Sequence, residues 1–292
     1  MKPVREDLLA AGPAERRRHA RSLFFTALCA ISAAIVLVPL GSILLYVVER
    51  GASGLSWTFF TALPKPVGET GGGMGNAVAG SLVLIGLACL FGLPVGVLAG
   101  VYLAEVGRGR LAAAIRFTAD VLAGVPSITI GVFVYALVVV SMRRFSAIAG
   151  GLALALVMIP TVTRTTEELL RLVPPNLREA ALGLGVPAWR TTVFVVLRTA
   201  APGIATGVML AVARVAGETA PLLFTAMSSR YWAAGLDRPI ASLPVQILTY
   251  ATSPYADWQA QAWTGALCLV AIVLVLNLAA RAVAARSLGA RR

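Results

Sequence analysis

The chain has 292 residues, of which 58% are apolar and only 13% charged, about half the charged share of a soluble domain. Several apolar runs exceed the length needed to cross a bilayer, which excludes a soluble globular core. The excess of 25 Lys and Arg over 13 Asp and Glu follows from where the arginines sit between apolar runs and is not a nucleic-acid-binding signature.

In chain order, residues 1–22 form a basic tail with Arg16, Arg17, Arg18 and Arg21. The run Leu23–Val48 is too long for a signal-peptide core and lacks a small-residue cleavage site, so it reads as an uncleaved first membrane helix. A loop follows to residue 76, and its Gly71-Gly72-Gly73 run reads as a flexible approach to the second span. That span covers about Ala77–Ala104 and is rich in glycine, which lets helices pack closely in lipid. A third span, Phe117–Val140, carries Gly124-Val125-Pro126-Ser127, a kinked or locally unwound site. A fourth, Ser146–Thr163, is short and is expected to end at Pro160. The fifth is expected over Pro202–Met227 and the sixth over Ala262–Ala284, with a short tail at 286–292. Between the fifth and sixth, Ser242 is placed to cap a short helix with Pro244 in its first turn. Tyr231, Trp232, Tyr250, Tyr255, Trp258 and Trp263 suit an interfacial aromatic belt.

With the N-terminus inside, the segments on the cytoplasmic side hold 18 Lys and Arg and the outer loops hold 6. The positive-inside rule therefore places both termini and the polar stretch 164–201 in the cytoplasm of a multi-pass protein. Within that stretch Glu167, Glu168 and Arg171 are expected to face away from Leu169, Leu170 and Leu172. Pro174 and Pro175 stop what precedes, Asn176 can cap a new helix with Glu179 three residues on, and Gly183 and Gly185 end it. The result is a short helix lying along the membrane surface, with small alanines suited to the groove of another protein.

Two charges fall inside the fifth span. Arg214 and Glu218 are four residues apart, which puts them on one helix face if the helix continues. An ionised group at bilayer depth costs roughly 2.5–3.5 kcal/mol on insertion scales and rarely faces lipid. Arg214 can help an anion cross, since a guanidinium matches oxyanion geometry, with Glu218 orienting it. The pair can equally pin helices together or to a partner subunit. The other chemistry is sparse. The single histidine, His19, lies in the tail and excludes a histidine metal site. The cysteines Cys29, Cys89 and Cys268 all lie in apolar runs, so no disulfide framework is implied. Lys2 and Lys65 follow no phosphate-binding glycine loop, so any ATP must be bound by another chain. With no nucleophile–base pair, a membrane enzyme is disfavoured.

Glu179-Ala180-Ala181, three residues, Gly185, nine residues, then Val195-Val196-Leu197 resembles the EAA loop of ABC-importer permeases, whose coupling helix docks on a cytoplasmic ATPase. That family continues with proline after the leucine; here Arg198 stands there and Pro202 follows. A more specific resemblance runs through Leu122–Ser127, Ala213–Thr225, Ser242–Ile247 and Ala256–Gln259, which are similar to the PstA-type permeases of bacterial phosphate importers. The resemblance implies an all-α fold of six transmembrane helices, the type I, MetI-like permease fold, with a core at 77–285. It implies a non-enzymatic subunit of the bacterial inner membrane. Its partners would be a second, PstC-type permease, a PstB-type ATPase dimer that binds the ATP and Mg, and a PstS-type phosphate-binding receptor, periplasmic or lipid-anchored. Inorganic phosphate would be the cargo and Arg214 and Glu218 part of its path, with Glu179, Ala180, Ala181 and Gly185 coupling to the ATPase. The alternatives are the same architecture carrying sulfate, molybdate or another oxyanion, and an ion-coupled carrier that needs no ATPase.

Overall fold

The computed structural model describes residues 13–69 and 71–289. The residues described are helical with connecting loops, and by packing the chain divides into two units, 1–50 and 51–292. Helix α1 (Pro13–Ala52) takes in the basic residues from Arg16 as well as the first apolar run, and its apolar side chains from Leu23 to Val48 stand largely exposed, as lipid-facing groups do. The remainder of the basic tail lies outside the described residues.

The second unit contains α2 (Trp57–Thr61), α3 (Gly75–Val101), α4 (Gly109–Gly124), α5 (Ser127–Val134) and α6 (Ala147–Arg171). These are followed by α7 (Pro175–Gly183), α8 (Leu197–Ala216), α9 (Ala220–Thr225), α10 (Leu243–Ala251) and α11 (Ala256–Gly289). Wider π turns extend α3 over Tyr102–Val106, extend α5 over Tyr135–Val139 and lead into α8 over Thr191–Val196. Among the described residues five helices are long and apolar enough to cross a membrane, and a sixth span results if the bent pair formed by α4 and the α5 segment counts as one.

The core is the α3–α6 pair. Gly92, Gly96 and Gly100 form a stripe on α3 against Met158, Val162 and Thr166 of α6; a Cβ on Gly100 would lie 2.5 Å from that of Thr166. In lipid there is no hydrophobic drive between helices, so this close backbone approach is what packs them. Leu84, Leu154, Met158 and Val162 fill the interior, joined by Val212 and Val215 of α8. Gly131 of α5 approaches the Pro221 backbone of α9 to the same degree.

Several sequence expectations change. The third span is broken at Val125-Pro126, and the helices on either side meet at 107°, because Pro126 lacks the amide that would carry the helix through and biases Val125 to extended backbone. Pro160 does not end its helix, which runs on to Arg171; packed membrane helices tolerate an interior proline because neighbouring groups re-satisfy the freed carbonyl. Pro202 likewise lies inside α8. The Gly71–Gly73 run is a packed turn. A Cβ on Gly73 would meet the Thr58 carbonyl oxygen at 2.5 Å, and Gly71 has φ +80°. Ser242 sits at the start of α10 without a capping bond of its own; the Ser81 hydroxyl of α3 instead accepts from the Leu243 amide at 2.7 Å. Tyr250 is buried and stacks on Trp258 at 4.5 Å, so those two aromatics pack the protein interior, while Tyr231 and Trp232 remain exposed.

Candidate functional site: a broken-helix ion pair and a braced short helix

Arg214 lies in the last turn of α8, where the unpaired carbonyls give a helix end its partial negative charge and a cation is favoured. The helix ends at Gly217, whose amide donates to the Arg214 carbonyl at 3.2 Å. Glu218 therefore stands just past the helix, in the break before α9, and not on a continuous helical face. The two still pair, at 3.9 Å between Arg214 Nε and Glu218 Oε1. The Arg214 side chain is 57% exposed and that of Glu218 18%. The pair thus joins the last turn of α8 to the break that follows it, with the arginine the more exposed of the two. A guanidinium held loosely by one carboxylate at a helix break retains donors for an oxyanion.

The short helix α7 starts two residues earlier than the sequence suggested. Pro174 occupies the cap position, Pro175 is the first helical residue, and no side chain caps the end. The two prolines fix the start by their φ, and Pro175 has no amide to satisfy, so Asn176 falls inside the helix and the Asn176–Glu179 capping box does not form. Glu179 and Ala180 are exposed, Ala181 is buried, and Gly185 takes φ +79° in the turn that follows. Leu177, Leu182, Leu184 and Trp189 are exposed around them, an apolar surface on a polar loop. The Val195–Leu197 segment belongs to the π turn and first residue of α8, and Arg198 continues that helix.

Sequence reasoning missed the brace that holds α7. Arg178 donates from Nη2 to Glu105 Oε1 at 2.7 Å and to the Leu170 carbonyl at 2.7 Å, and from Nη1 to the Val173 carbonyl at 2.7 Å. One guanidinium thus ties α7 to the end of α3 and the end of α6. A second carboxylate there, Glu167, is buried rather than turned to solvent, while Leu172 is exposed. Glu167 receives Arg116 at 2.8 Å and Arg171 at 2.7 Å. Arg164 pairs with Asp120 alongside. The signal for these contacts was weak. Glu105 and Arg178 are 73 residues apart, and no local spacing relates them. No group of three or more His, Cys, Asp or Glu among the described residues is arranged to hold a metal.

The family described as "binding-protein-dependent transport system inner membrane component" matches residues 92–288. The phosphate transport system permease protein PstA of Yersinia pestis is 50% identical over 245 residues, covering 84% of this chain and 83% of that protein. PstA of Haemophilus influenzae is 48% identical over 252 residues, 86% of this chain and 89% of the relative. PstA 1 of Mycobacterium tuberculosis is 40% identical over 278 residues, covering 92% and 90%. Among solved structures, an inward-facing MetNI methionine ABC transporter superposes with a TM-score of 0.57 at 20% identity, covering 73% of this chain and 94% of that one. That likeness bears on the fold, which is the MetI-like permease fold.

Proposed function

Since the chain belongs to the family of binding-protein-dependent transport system inner membrane components, and is thus a non-enzymatic membrane permease, we propose that it forms the phosphate path of an ATP-driven importer together with a second permease. The observation that carries the cargo is the 50% identity, over most of both chains, with a phosphate transport permease. The Arg214–Glu218 pair, with its arginine more than half exposed, supports it. An exposed arginine at membrane depth does not face lipid, so another subunit or an aqueous path must cover it. Irregular backbone at that depth, here residues 217–219 between α8 and α9, is tolerated where it lines a cavity. The path therefore lies between this chain and a sister permease, with Arg214 meeting the anion and Glu218 orienting Arg214.

Coupling follows from α7. A cytoplasmic ATPase dimer, which would bind the ATP and Mg, docks on the exposed face around Glu179, Ala180 and Leu184, and Gly185 lets the chain turn away beneath it. Arg178 passes movement of α7 to α3 through Glu105 and to α6 through the Leu170 and Val173 carbonyls. A phosphate-binding receptor delivers cargo on the opposite side. Both termini are cytoplasmic in this arrangement, as the charge bias supports.

The test is uptake of labelled phosphate by cells lacking this gene, with and without its return, in excess sulfate. Restored uptake that sulfate does not suppress is expected. No restoration with the protein present in the membrane would reassign the cargo to another oxyanion.

A further inference from the structure

A polar cavity of ~200 Å³ opens among Ser228, Arg230, Gln246, Thr249, Tyr250 and Trp258. In chain order the whole of α8 separates it from α7, so it belongs to the face away from the coupling helix. Its chemistry is one-sided. The polar lining comprises a guanidinium, an amide and three hydroxyls, with no carboxylate. Among the described residues no acid lies within ion-pair distance of Arg230, whereas Arg144, on another loop of that face, is neutralised by Asp237 at 2.9 Å.

The cavity is also built. Gln246 and Tyr250 are 6% and 3% exposed and lie one helical turn apart on α10. Tyr250 stacks on Trp258 at an interplanar angle of 11°, giving a flat, water-excluding wall. The loop that presents Arg230 is fixed: the buried Asn76 side chain donates to the Ser229 carbonyl at 2.7 Å, and the Tyr231 amide donates to the Ser229 hydroxyl at 3.2 Å. Unpaired positive charge beside buried neutral donors in a held pocket is the recognition pattern of a small oxyanion.

We propose that this cavity is an oxyanion-binding site of the phosphate class on the outer face, separate from Arg214, in which Arg230 supplies the charge and Gln246 and Ser228 the neutral hydrogen bonds. The assignment rests on the phosphate reading of the chain. It makes the outer mouth of the permease a holding place for cargo before the helix break at Gly217.

The experiment uses the complete transporter in intact cells. Thr249→Cys is labelled from outside with a membrane-impermeant thiol reagent, with the parent chain as the background control for Cys29, Cys89 and Cys268. Inorganic phosphate at millimolar concentration slows labelling at least about fivefold, and chloride at equal ionic strength does not. Adding Arg230→Gln abolishes protection, and Arg230→Lys restores part of it, as removal of one charge-assisted contact predicts. Labelling at one rate with and without phosphate, or protection that survives Arg230→Gln, would overturn the site. If those same cells take up phosphate, the cargo reading stands and the site alone is lost. If they take up none, the cargo reading falls and the site falls with it.

Discussion

Arg214 and Arg178 have opposite environments, and those environments separate their roles. Arg214 is more than half exposed and has a single partner, Glu218, at 3.9 Å, a separation too long for a hydrogen bond and a weak hold within this chain. Arg214→Ala should therefore abolish phosphate uptake while leaving the chain in the membrane and bound to its partner subunits. Loss of copurifying partners would show the pair to be structural. Arg178 is three-quarters buried and saturated with acceptors. Arg178→Met strands the Glu105 carboxylate and two carbonyls, at a cost on the order of 2–3 kcal/mol, and should lower thermal stability along with uptake. In a double-mutant cycle with Glu105→Gln, the two losses should fall short of additive by about 1 kcal/mol or more. Strict additivity would mean that Arg178 and Glu105 do not brace α7 against α3.

At the scale of elements, the α3–α6 seam decides whether the bundle seats. Gly100→Leu would drive a Cβ into Thr166, while Gly86, on the same helix, has nothing within 4 Å of its own Cβ position. The first change should yield protein that aggregates in detergent on size-exclusion chromatography, and Gly86→Ala should elute as the parent does. Equal behaviour of the two would mean that α3 meets α6 elsewhere. The close packing of α3 was legible in the sequence, because glycines in an apolar run let helices approach in lipid, whereas its partner α6 was not. The short α7 helix was legible too, since Pro174, Pro175 and Gly183 bracket it, although its cap was misassigned. The 107° break at Val125-Pro126 was legible only as a kink. A proline marks where a helix yields, whereas the angle is set by what the following helix packs on, here Gly131 against Pro221. Pro160, in an equally apolar run, leaves its helix continuous. Residue type alone does not separate these two outcomes. The Arg178–Glu105 brace was illegible for a related reason: its partners meet only after α3, α6 and α7 have come together.

At the scale of the whole molecule, the arrangement is a lever. The exposed helix α7 is tied through Arg178 to the ends of the two most tightly packed helices, and α8, packed on the same core, ends at the Arg214–Glu218 ion pair. Transport by this lever requires ATP hydrolysis by a partner, as proposed above. The most direct measurement is labelled phosphate accumulation in vesicles containing the complete transporter and its phosphate receptor, with and without ATP, and with a protonophore present. Accumulation should need ATP, survive collapse of the proton gradient and be lost with Arg214→Ala. Accumulation without ATP that the protonophore abolishes would contradict that requirement and make the chain an ion-coupled carrier.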